Sequence, residues 1–318
     1  MRNTPFMLVS LAGTMEILVI EGLATFGMKI LHQRFNVDLP TAGMAFGIVT
    51  IIGSSGGMLL GGYMVKRFQL KYRGIMRLCG GFMLISLLLS PTFLVHCTSP
   101  SIPGVSALYP GQDTYKGLTS TCNEECGCTT ASFEPVCSGR NEMMFFNPCF
   151  AGCSLVIEAN GSKTFRNCTC YNGIYTNITN PYMISGACTN QCDWLYGYCV
   201  LILFIMIVTF ATMSPGTTAT LRCVPDQQRS VAIGISVLIV RLLGKTPGPV
   251  LLGAIIDSTC QVWESKNGGD IGACWVYNNF DMGVRLMIWW VALKATGAIL
   301  FIIASFMYKP EIENAQGD

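Results

Sequence analysis

Three long stretches of this sequence contain no charged residue, and they constrain the fold more than any other feature. They cover residues 41–65, 78–112 and 194–221. A helix of about 20 apolar residues is long enough to cross the hydrocarbon core of a bilayer. Only 12% of the residues are charged, against about 25% in an ordinary soluble domain. We therefore predict an all-α polytopic membrane protein, whose first partner is the lipid bilayer.

Hydropathy divides the apolar sequence into six membrane-spanning helices. The predicted spans are residues 6–31, 41–65, 75–95, 194–221, 231–256 and 283–308. Three spans precede a long cysteine-rich segment and three follow it. The sequence thus predicts three regions, namely helices in 1–96, an extracellular domain in 97–193, and further helices with a cytoplasmic tail in 194–318.

Cysteine is concentrated in the segments that follow the third and fifth predicted spans. Of the 16 cysteines, eleven lie in residues 97–192 and two in the later loop. This density is typical of an oxidising compartment, where disulfides form. Eleven thiols allow five bridges and one leftover, with Cys97 the candidate for a longer-range partner, and the pairing stays open. The predicted disulfide cysteines are Cys97, Cys122, Cys126, Cys128, Cys137, Cys149, Cys153, Cys168, Cys170, Cys188, Cys192, Cys260 and Cys274.

The long cysteine-rich segment also carries signals for modification. Its N-x-S/T sequons, at Asn160, Asn167 and Asn177, predict glycosylation. Zinc is a competing interpretation of its two Cys-x-Cys pairs. An oxidising compartment and the lack of a histidine in this segment after His96 favour disulfides instead. We expect no metal ion.

An extracellular cysteine-rich segment fixes the orientation of all six spans. By alternation, both termini and the segments 66–77 and 222–229 are then cytoplasmic, and the protein lies in the plasma membrane. The short outer loops hold only Arg34 and Lys266. This asymmetry agrees with the positive-inside rule. The predicted cytoplasmic flanks hold nine basic residues: Arg2, Lys66, Arg67, Lys71, Arg73, Arg77, Arg222, Arg229 and Lys309.

Glycine and proline occupy distinctive positions within the spans. Gly53, Gly57 and Gly61 repeat every four residues, which aligns them on one helix face. Small residues in that arrangement let a neighbouring helix approach closely, so we predict a packing seam in preference to a substrate-lining face. The fourth span carries Pro215 and the fifth carries prolines at 247 and 249. Proline lacks a backbone donor, so both helices should bend or unwind.

Seven ionisable residues lie within the predicted spans. In lipid each needs a partner, a water-filled cavity or a route to the interface. Lys29 and Arg285 lie near the outer ends of their helices, where a long side chain can reach water. The deeper five are Glu16, Glu21, Arg241, Lys245 and Lys294.

Arg241 and Lys245 are four residues apart, which places two cations on one helix face. An aqueous cavity that receives an anion would resolve their repulsion. Arginine keeps its proton and can donate two parallel hydrogen bonds to a carboxylate, sulfate or phosphate, so Arg241 is the first choice for substrate contact. The predicted substrate-binding set is Arg241, Lys245, Glu21 and Lys294. Pairing with Glu16 or Glu21 is the alternative for either cation, and these carboxylates could instead couple protons to transport.

Several functional classes have no support in the sequence. The one Gly-x-Ser-x-Gly match, at residues 53–57, lies inside a predicted span, and no P-loop is present, so we predict neither an enzyme nor a primary pump, and no cofactor. The net charge is +2, and no basic run alternates with aromatic residues, so we expect no nucleic-acid partner. The remaining functional class is secondary transport, driven by gradients or exchange.

The cysteine-rich segment reads Cys122-x3-Cys126-x-Cys128-x8-Cys137-x11-Cys149-x3-Cys153, followed by Cys168-x-Cys170 and Cys188-x3-Cys192. This spacing resembles the Kazal-like ectodomain of the organic anion transporting polypeptides. Three later motifs are similar to the family's eleventh helix and final outer loop: Val240-Arg241-Leu-Leu, Pro247-x-Pro249 and Cys274-Trp275-x-Tyr277-Asn278. The opening Phe6-Met-Leu-Val-Ser-Leu-Ala resembles the start of its seventh helix.

This resemblance implies six helices that form one half of a major-facilitator-type transporter, equivalent to family helices 7–12, with a disulfide-rich extracellular Kazal-like insert. The tryptophan-rich signature of the family's sixth helix has no counterpart in the sequence. The implied partner is a missing amino-terminal half, or a second copy of the chain. The implied function is sodium-independent uptake or exchange of amphipathic organic anions by alternating access. The family arginine that matches Arg241 is implicated in anion handling.

A function from another class stays open on the residues alone. Kazal-like modules can inhibit proteases, so the six helices could anchor a cysteine-rich binding or protease-inhibitor-like ectodomain without transport. The two hypotheses differ in where the intramembrane charges lie. A carrier should expose Arg241 and Lys245 to a cavity that is open to one side, whereas an anchor should bury or pair every such charge.

Overall fold

A computed structural model of the chain describes residues 4–98, 100–109, 112–113, 117–138, 143–159, 161–172, 182–188, 192, 194–266 and 270–308. The α-helices in these residues are α1 (Thr4–Phe35), α2 (Leu39–Arg67), α3 (Tyr72–Leu88), α4 (Thr169–Asn172), α5 (Trp194–Phe210), α6 (Met213–Arg222), α7 (Arg229–Val240), α8 (Pro247–Asp257) and α9 (Asn279–Met307). The strands are β1 (Val136–Ser138), β2 (Met144–Phe145), β3 (Cys153–Ala159), β4 (Ser162–Cys168), β5 (Tyr182–Ser185), β6 (Cys260–Ser265) and β7 (Ile271–Tyr277).

The chain divides into two compact units. The helical unit comprises Met1–His96, Asp193–Ser258 and Phe280–Asp318, and the cysteine-rich unit comprises Cys97–Cys192 and Thr259–Asn279. The later loop was predicted with the last three helices, in residues 194–318. In the structure it belongs instead to the cysteine-rich unit.

The helical unit contains six segments that are long and apolar enough to cross a membrane, which confirms the six predicted spans. They are Thr4–Phe35, Leu39–Arg67, Tyr72–Leu94, Trp194–Arg222, Asp226–Asp257 and Asn279–Met307. One boundary difference concerns Arg34, which was predicted in an outer loop. Arg34 lies in the last turn of α1 and is only 1% exposed. Hydropathy ended the helix too early because its final turn carries the polar side chains of His32, Gln33 and Arg34.

The sequence Asp38-Leu-Pro-Thr41 explains why α2 begins where it does. Asp38 is the N-cap, and its carboxylate accepts a hydrogen bond from the backbone N–H of Thr41 at 3.0 Å. Such a bond satisfies one of the free donors of the first helical turn. The backbone and hydroxyl hydrogen bonds from Thr41 hold the pKa of the exposed Asp38 carboxyl below its usual value. The carboxylate therefore stays charged while it caps the helix.

The three aligned glycines of α2 form the predicted packing seam, against α5. Gly53, Gly57 and Gly61 are buried. A Cβ atom on Gly57 would lie 2.5 Å from the carbonyl oxygen of Ile207, and one on Gly61 would overlap the carbonyl oxygen of Ala211. Such close contact between helix backbones requires glycine. The structure thus confirms the packing interpretation.

Both predicted helix interruptions are present. The fourth span breaks between α5 and α6, at Ala211. Ala211 lies four positions before Pro215, and because proline has no backbone N–H, the carbonyl of Ala211 lacks its usual donor. The fifth span passes through a π-helical turn at Arg241–Lys245, in which the N–H of Thr246 donates to the carbonyl of Arg241 at 3.1 Å. The prolines at 247 and 249 follow directly. Each break confirms the expectation drawn from proline.

The seam and the first break predict a difference between two identical substitutions in α2. Gly61→Ala should destabilise the protein by about 1–3 kcal/mol, because the new methyl group meets the carbonyl of Ala211, which the helix break has left without its usual donor. Gly47→Ala is the matched control, since no atom lies within 4 Å of its Cβ position. Alanine there should add up to ~1 kcal/mol of helix stability. Thermal unfolding of the purified chains should shift in opposite directions, and parallel shifts would exclude the seam.

The cysteine-rich unit is built on a five-stranded antiparallel sheet in the order β2-β1-β5-β4-β3. Six disulfides cross-link the unit: Cys97–Cys192, Cys122–Cys170, Cys128–Cys149, Cys137–Cys188, Cys153–Cys168 and Cys260–Cys274. Cys126, a predicted disulfide cysteine, is instead an exposed thiol that has no bridge in the described part of the chain. The leftover thiol is therefore Cys126, and Cys97 closes the unit with Cys192.

The β6–β7 hairpin belongs to the cysteine-rich unit through direct contacts. The indole N–H of Trp275 donates to the carbonyl of Thr130 at 3.2 Å, and its ring stacks on Phe133 with centroids 6.0 Å apart. Val262 joins Phe146 in the same apolar cluster. These contacts bury one face of a hairpin that would be only marginally stable alone.

One of the three predicted glycosylation sites can be located. Asn167 is an exposed residue of β4, whose side chain donates to the hydroxyl of Ser154 at 2.6 Å. Asn160 and Asn177 lie outside the described residues. Glycosylation therefore stays a prediction.

Candidate anion cavity

A cavity of about 330 Å³ lies in the helical unit between α1, α6, α7 and the π-helical turn. Its lining combines charged, hydroxyl and aliphatic side chains. The charged residues are Glu21, Arg241 and Lys245, and the hydroxyl residues are Thr212, Thr217, Thr220 and Ser236. We call this space the anion cavity. It brings together three of the four residues of the predicted substrate-binding set.

Lys245 and Glu21 form an ion pair at one side of the anion cavity. The ammonium nitrogen lies 3.0 Å from a carboxylate oxygen, and the two side chains are 59% and 25% exposed. Gly248 allows α8 to pack closely on α1 beside this pair, because a Cβ on Gly248 would lie 2.9 Å from the carbonyl oxygen of Leu18. The structure thus supports the ion-pair alternative for Lys245.

Arg241 differs from Lys245 in having no partner for its charge. Its side chain is exposed and makes no ion pair or hydrogen bond with any residue that the structure describes. Its backbone carbonyl accepts from the N–H and the hydroxyl of Thr246, which fixes the turn that carries it. Two cations and one carboxylate leave the described lining with one uncompensated positive charge.

The rest of the lining gives the anion cavity an amphipathic character. Aliphatic side chains such as Val9, Ile17 and Val237 offer apolar surface. The hydroxyl of Ser236 lies 3.1 Å from that of Ser10. A cavity with apolar walls and a few polar groups is typical of small-molecule sites. This arrangement suits a molecule with an apolar body and one anionic group.

Lys294 does not line the anion cavity, contrary to the expectation drawn from the sequence. Its ammonium lies 2.6 Å from a carboxylate oxygen of Glu16, and the two side chains are 1% and 2% exposed. It also donates to the hydroxyl of Thr209 at 3.1 Å and lies 4.7 Å from the ring centre of Trp290. Its charge is therefore neutralised within the helix bundle. The structure assigns Lys294 and Glu16 to a buried ion pair.

Arg34 is a buried cation that the sequence analysis did not single out. None of its guanidinium nitrogens has a hydrogen-bond partner among the described residues. The guanidinium lies beside Gly283, where an added Cβ would be 2.9 Å from Nη2. By contrast, Arg285 is exposed and donates to the hydroxyl of Ser258 at 2.5 Å, in agreement with the predicted solvent-facing role. The described residues contain no group of three or more His, Cys, Asp or Glu side chains that could hold a metal ion.

Comparison with known proteins places these features in a family. Residues 1–282 match the model of the Organic Anion Transporter Polypeptide (OATP) family. The chain is 36% identical over 326 residues to mouse solute carrier organic anion transporter family member 4A1, an alignment that covers 100% of this chain and 44% of the relative. The human member 4C1 is 34% identical, with coverages of 98% and 43%. The human member 1B3 is 27% identical, with coverages of 98% and 46%. The chain thus spans less than half the length of the curated relatives it matches.

Proposed function

The chain belongs to the organic anion transporter polypeptide family, and on that premise we propose that it is one half of a membrane secondary transporter for amphipathic organic anions. We propose sodium-independent uptake or exchange by alternating access, with no catalytic chemistry. The observation that carries the proposal is the exposed guanidinium of Arg241 in an amphipathic cavity. Its planar donors match a carboxylate or sulfate, and the aliphatic walls match an apolar body.

Within the anion cavity we assign different roles to the three charged residues. Arg241 binds the anionic group of the substrate directly. Lys245, already paired with Glu21, contributes mainly through its field. Glu21 moderates the positive potential and keeps Lys245 oriented. Arg241 is thus the residue whose geometry matters most, and the other two adjust the strength of binding.

The interrupted helices support a moving carrier. Of the elements around the anion cavity, α6 begins just after the break in the fourth span, and the π-helical turn carries Arg241 and Lys245. Discontinuous helices around a binding site recur in secondary transporters, where they allow parts of the bundle to move. A passive anchor for an ectodomain has no use for an unpaired cation on such a turn.

The missing half is the partner that we propose for the helical unit. In α2 and in the Asp226–Asp257 segment, only 17% of the most apolar 18-residue stretch is buried. Exposed residues there include Ile51, Leu59 and Leu242. We propose that an amino-terminal six-helix half, or a second copy, covers part of this surface.

For the membrane topology we propose cytoplasmic termini and an extracellular Kazal-like unit in the plasma membrane. Six disulfides in one unit support an oxidising compartment. The basic residues Lys66, Lys71 and Arg222 near the ends of the second and fourth spans support a cytoplasmic location for those ends. Asn167 is exposed, as a glycosylated asparagine must be.

Arg241→Ala should weaken the binding of a fluorescent amphipathic sulfate to the purified chain about 10- to 100-fold, since a charge-assisted hydrogen bond contributes about 1.5–3 kcal/mol. Arg241→Lys should recover only part of the affinity, because the bidentate geometry is lost. Glu21→Gln should strengthen binding, because it removes the negative charge from the anion cavity. When the chain is joined to an amino-terminal half, uptake should follow the same order.

Arg229→Ala is the matched control for this experiment. Arg229 lies in the same span, does not line the anion cavity and pairs with Asp226 at 2.6 Å. Its replacement should leave affinity unchanged. The proposal fails if Arg241→Ala loses surface abundance first and regains both abundance and uptake when Glu16 or Glu21 is also neutralised. That outcome would mean that Arg241 is a structural ion-pair partner.

A further inference from the structure

A second cavity, of about 440 Å³, lies where α2 ends and α6 approaches its last turn. Its charged lining consists of Lys66, Lys71 and Arg222, with no acidic side chain among the described residues that border it. The amide residue Gln69 and the hydroxyl residues Ser214 and Thr218 complete its polar lining. We call it the basic cavity. Nothing in the proposed transport mechanism uses it.

The three cations of the basic cavity line the same space, and no described acidic residue borders it. Arg222 donates from Nη1 to the carbonyl of Leu70 at 2.6 Å, which anchors its guanidinium beside the loop between α2 and α3. Lys66 and Lys71 are exposed, and their side chains have no partner within the described part of the chain. Like charges that converge on one space repel each other. A bound multivalent anion would remove that repulsion.

Glycine leaves the hydroxyl side of the basic cavity accessible. A Cβ on Gly62 would lie 3.2 Å from Oγ of Ser214 and would cover it. Thr218 donates its hydroxyl hydrogen to the carbonyl of Ser214 at 3.0 Å, whereas the Ser214 hydroxyl can donate into the cavity. The cavity thus combines a hydrogen-bonded arginine, two exposed lysines and a hydroxyl donor. This donor set matches the several acceptor oxygens of a phosphate group.

General features of membrane proteins explain part of this pattern. Basic residues are frequent in cytoplasmic flanks, and cations near helix C-termini complement the helix dipole. Arg67 and Arg77 belong to the same stretch of chain, but neither lines the basic cavity. Arg73 instead donates to the carbonyl of Tyr308 at 3.0 Å. A topogenic signal needs only the charges, not their convergence on one cavity with hydroxyl donors.

We propose that the basic cavity binds a phosphomonoester group, such as that of a phosphoinositide headgroup in the adjacent leaflet. A phosphomonoester carries about −1.5 to −2 charges at neutral pH. Basic pockets between transmembrane helices are suited to such headgroups. The choice of the leaflet that supplies the lipid rests on the orientation proposed above. The binding chemistry is independent of that orientation, because it depends only on the residues that line the cavity.

The test uses the full chain in nanodiscs, which expose both membrane faces and require no transport. Phosphatidylcholine discs that contain a phosphatidylinositol monophosphate are compared with discs that contain unphosphorylated phosphatidylinositol. The monophosphate should bind about tenfold or more tightly. Lys66→Ala with Lys71→Ala should abolish that preference, and a Lys66→Gln with Lys71→Gln chain provides the same test should the first variant misfold.

Arg67→Ala with Arg77→Ala is the matched control, because it removes two neighbouring positive charges that do not line the basic cavity. The control pair should keep the preference for the monophosphate. A soluble inositol phosphate that competes, and does so only with both lysines present, would identify a free phosphate as a second source; failure to compete would restrict the site to lipid. Equal losses in both pairs, or equal binding of the two lipids, would overturn the proposal. Because no uptake is measured, this result is independent of the role of Arg241.

Discussion

Lys294→Met should destabilise the helical unit by about 3–5 kcal/mol and sharply reduce the amount of protein at the surface. The substitution leaves the Glu16 carboxylate buried among α1, α5 and α9 without its 2.6 Å partner. One oxygen of that carboxylate already lacks a hydrogen bond among the described residues. An ionised carboxylate in this position cannot be solvated, so the helices must separate or the group must take up a proton. Thermal unfolding in detergent, together with surface labelling, measures the effect.

The double variant Lys294→Met with Glu16→Gln should recover most of the lost stability, because it leaves no buried charge without a partner. Lys245→Met is the matched control. It breaks an ion pair of the same type in a solvent-exposed setting, where such pairs contribute about 0–1 kcal/mol. If both lysine variants lose the same stability, burial is not the cause. If the double variant is as unstable as Lys294→Met, the ion-pair account is wrong.

Cys137→Ser should prevent normal surface delivery of the protein. The Cys137–Cys188 bridge closes a loop of 51 residues and ties β1 to the segment after β5. Loop-closure entropy assigns such a bridge about 4 kcal/mol. The substitution also leaves the buried thiol of Cys188 free to pair wrongly. Surface labelling should show intracellular retention, and alkylation after denaturation should count one more free thiol than in the unmodified chain.

Cys126→Ser is the control that the fold itself provides. Cys126 lies in the same unit but is an exposed thiol outside the six bridges. Its replacement should leave surface delivery normal and lower the free-thiol count by one. Normal delivery of Cys137→Ser, or retention of both variants alike, would contradict the disulfide framework described here.

The six spans could be predicted because each is a long and predominantly apolar segment, which is a local property of the sequence. The helix breaks were equally local, since each follows from proline. Ion pairing is not local. Lys294 and Glu16 are 278 residues apart. A lysine within a span indicates that a partner or cavity is needed, but not which of the two it has. For this reason the intramembrane charges could be located from the sequence, whereas the predicted environment of Lys294 was wrong.

Arg34 and Cys126 show two further limits of sequence reasoning. Hydropathy treats the polar last turn of α1 as a loop, whereas Gly283 of α9 leaves space for the buried Arg34 side chain. For cysteines, spacing gives the number of bridges but not the pairing. Cys126 and Cys128 are two residues apart, yet only Cys128 is oriented toward a partner, Cys149. Both assignments depend on tertiary contacts that no local pattern contains.

The bridge between Cys97 and Cys192 has a consequence for proteolysis of the segment that it closes. Its two Cα atoms are 6.1 Å apart, although 95 residues separate them in sequence. The segment between them is therefore an insertion whose first and last residues lie close together, and a linker of two or three residues would span the same distance. A protease that cuts once within it leaves both fragments joined through this bridge. The cleaved chain would still migrate as one molecule until a reductant separates it.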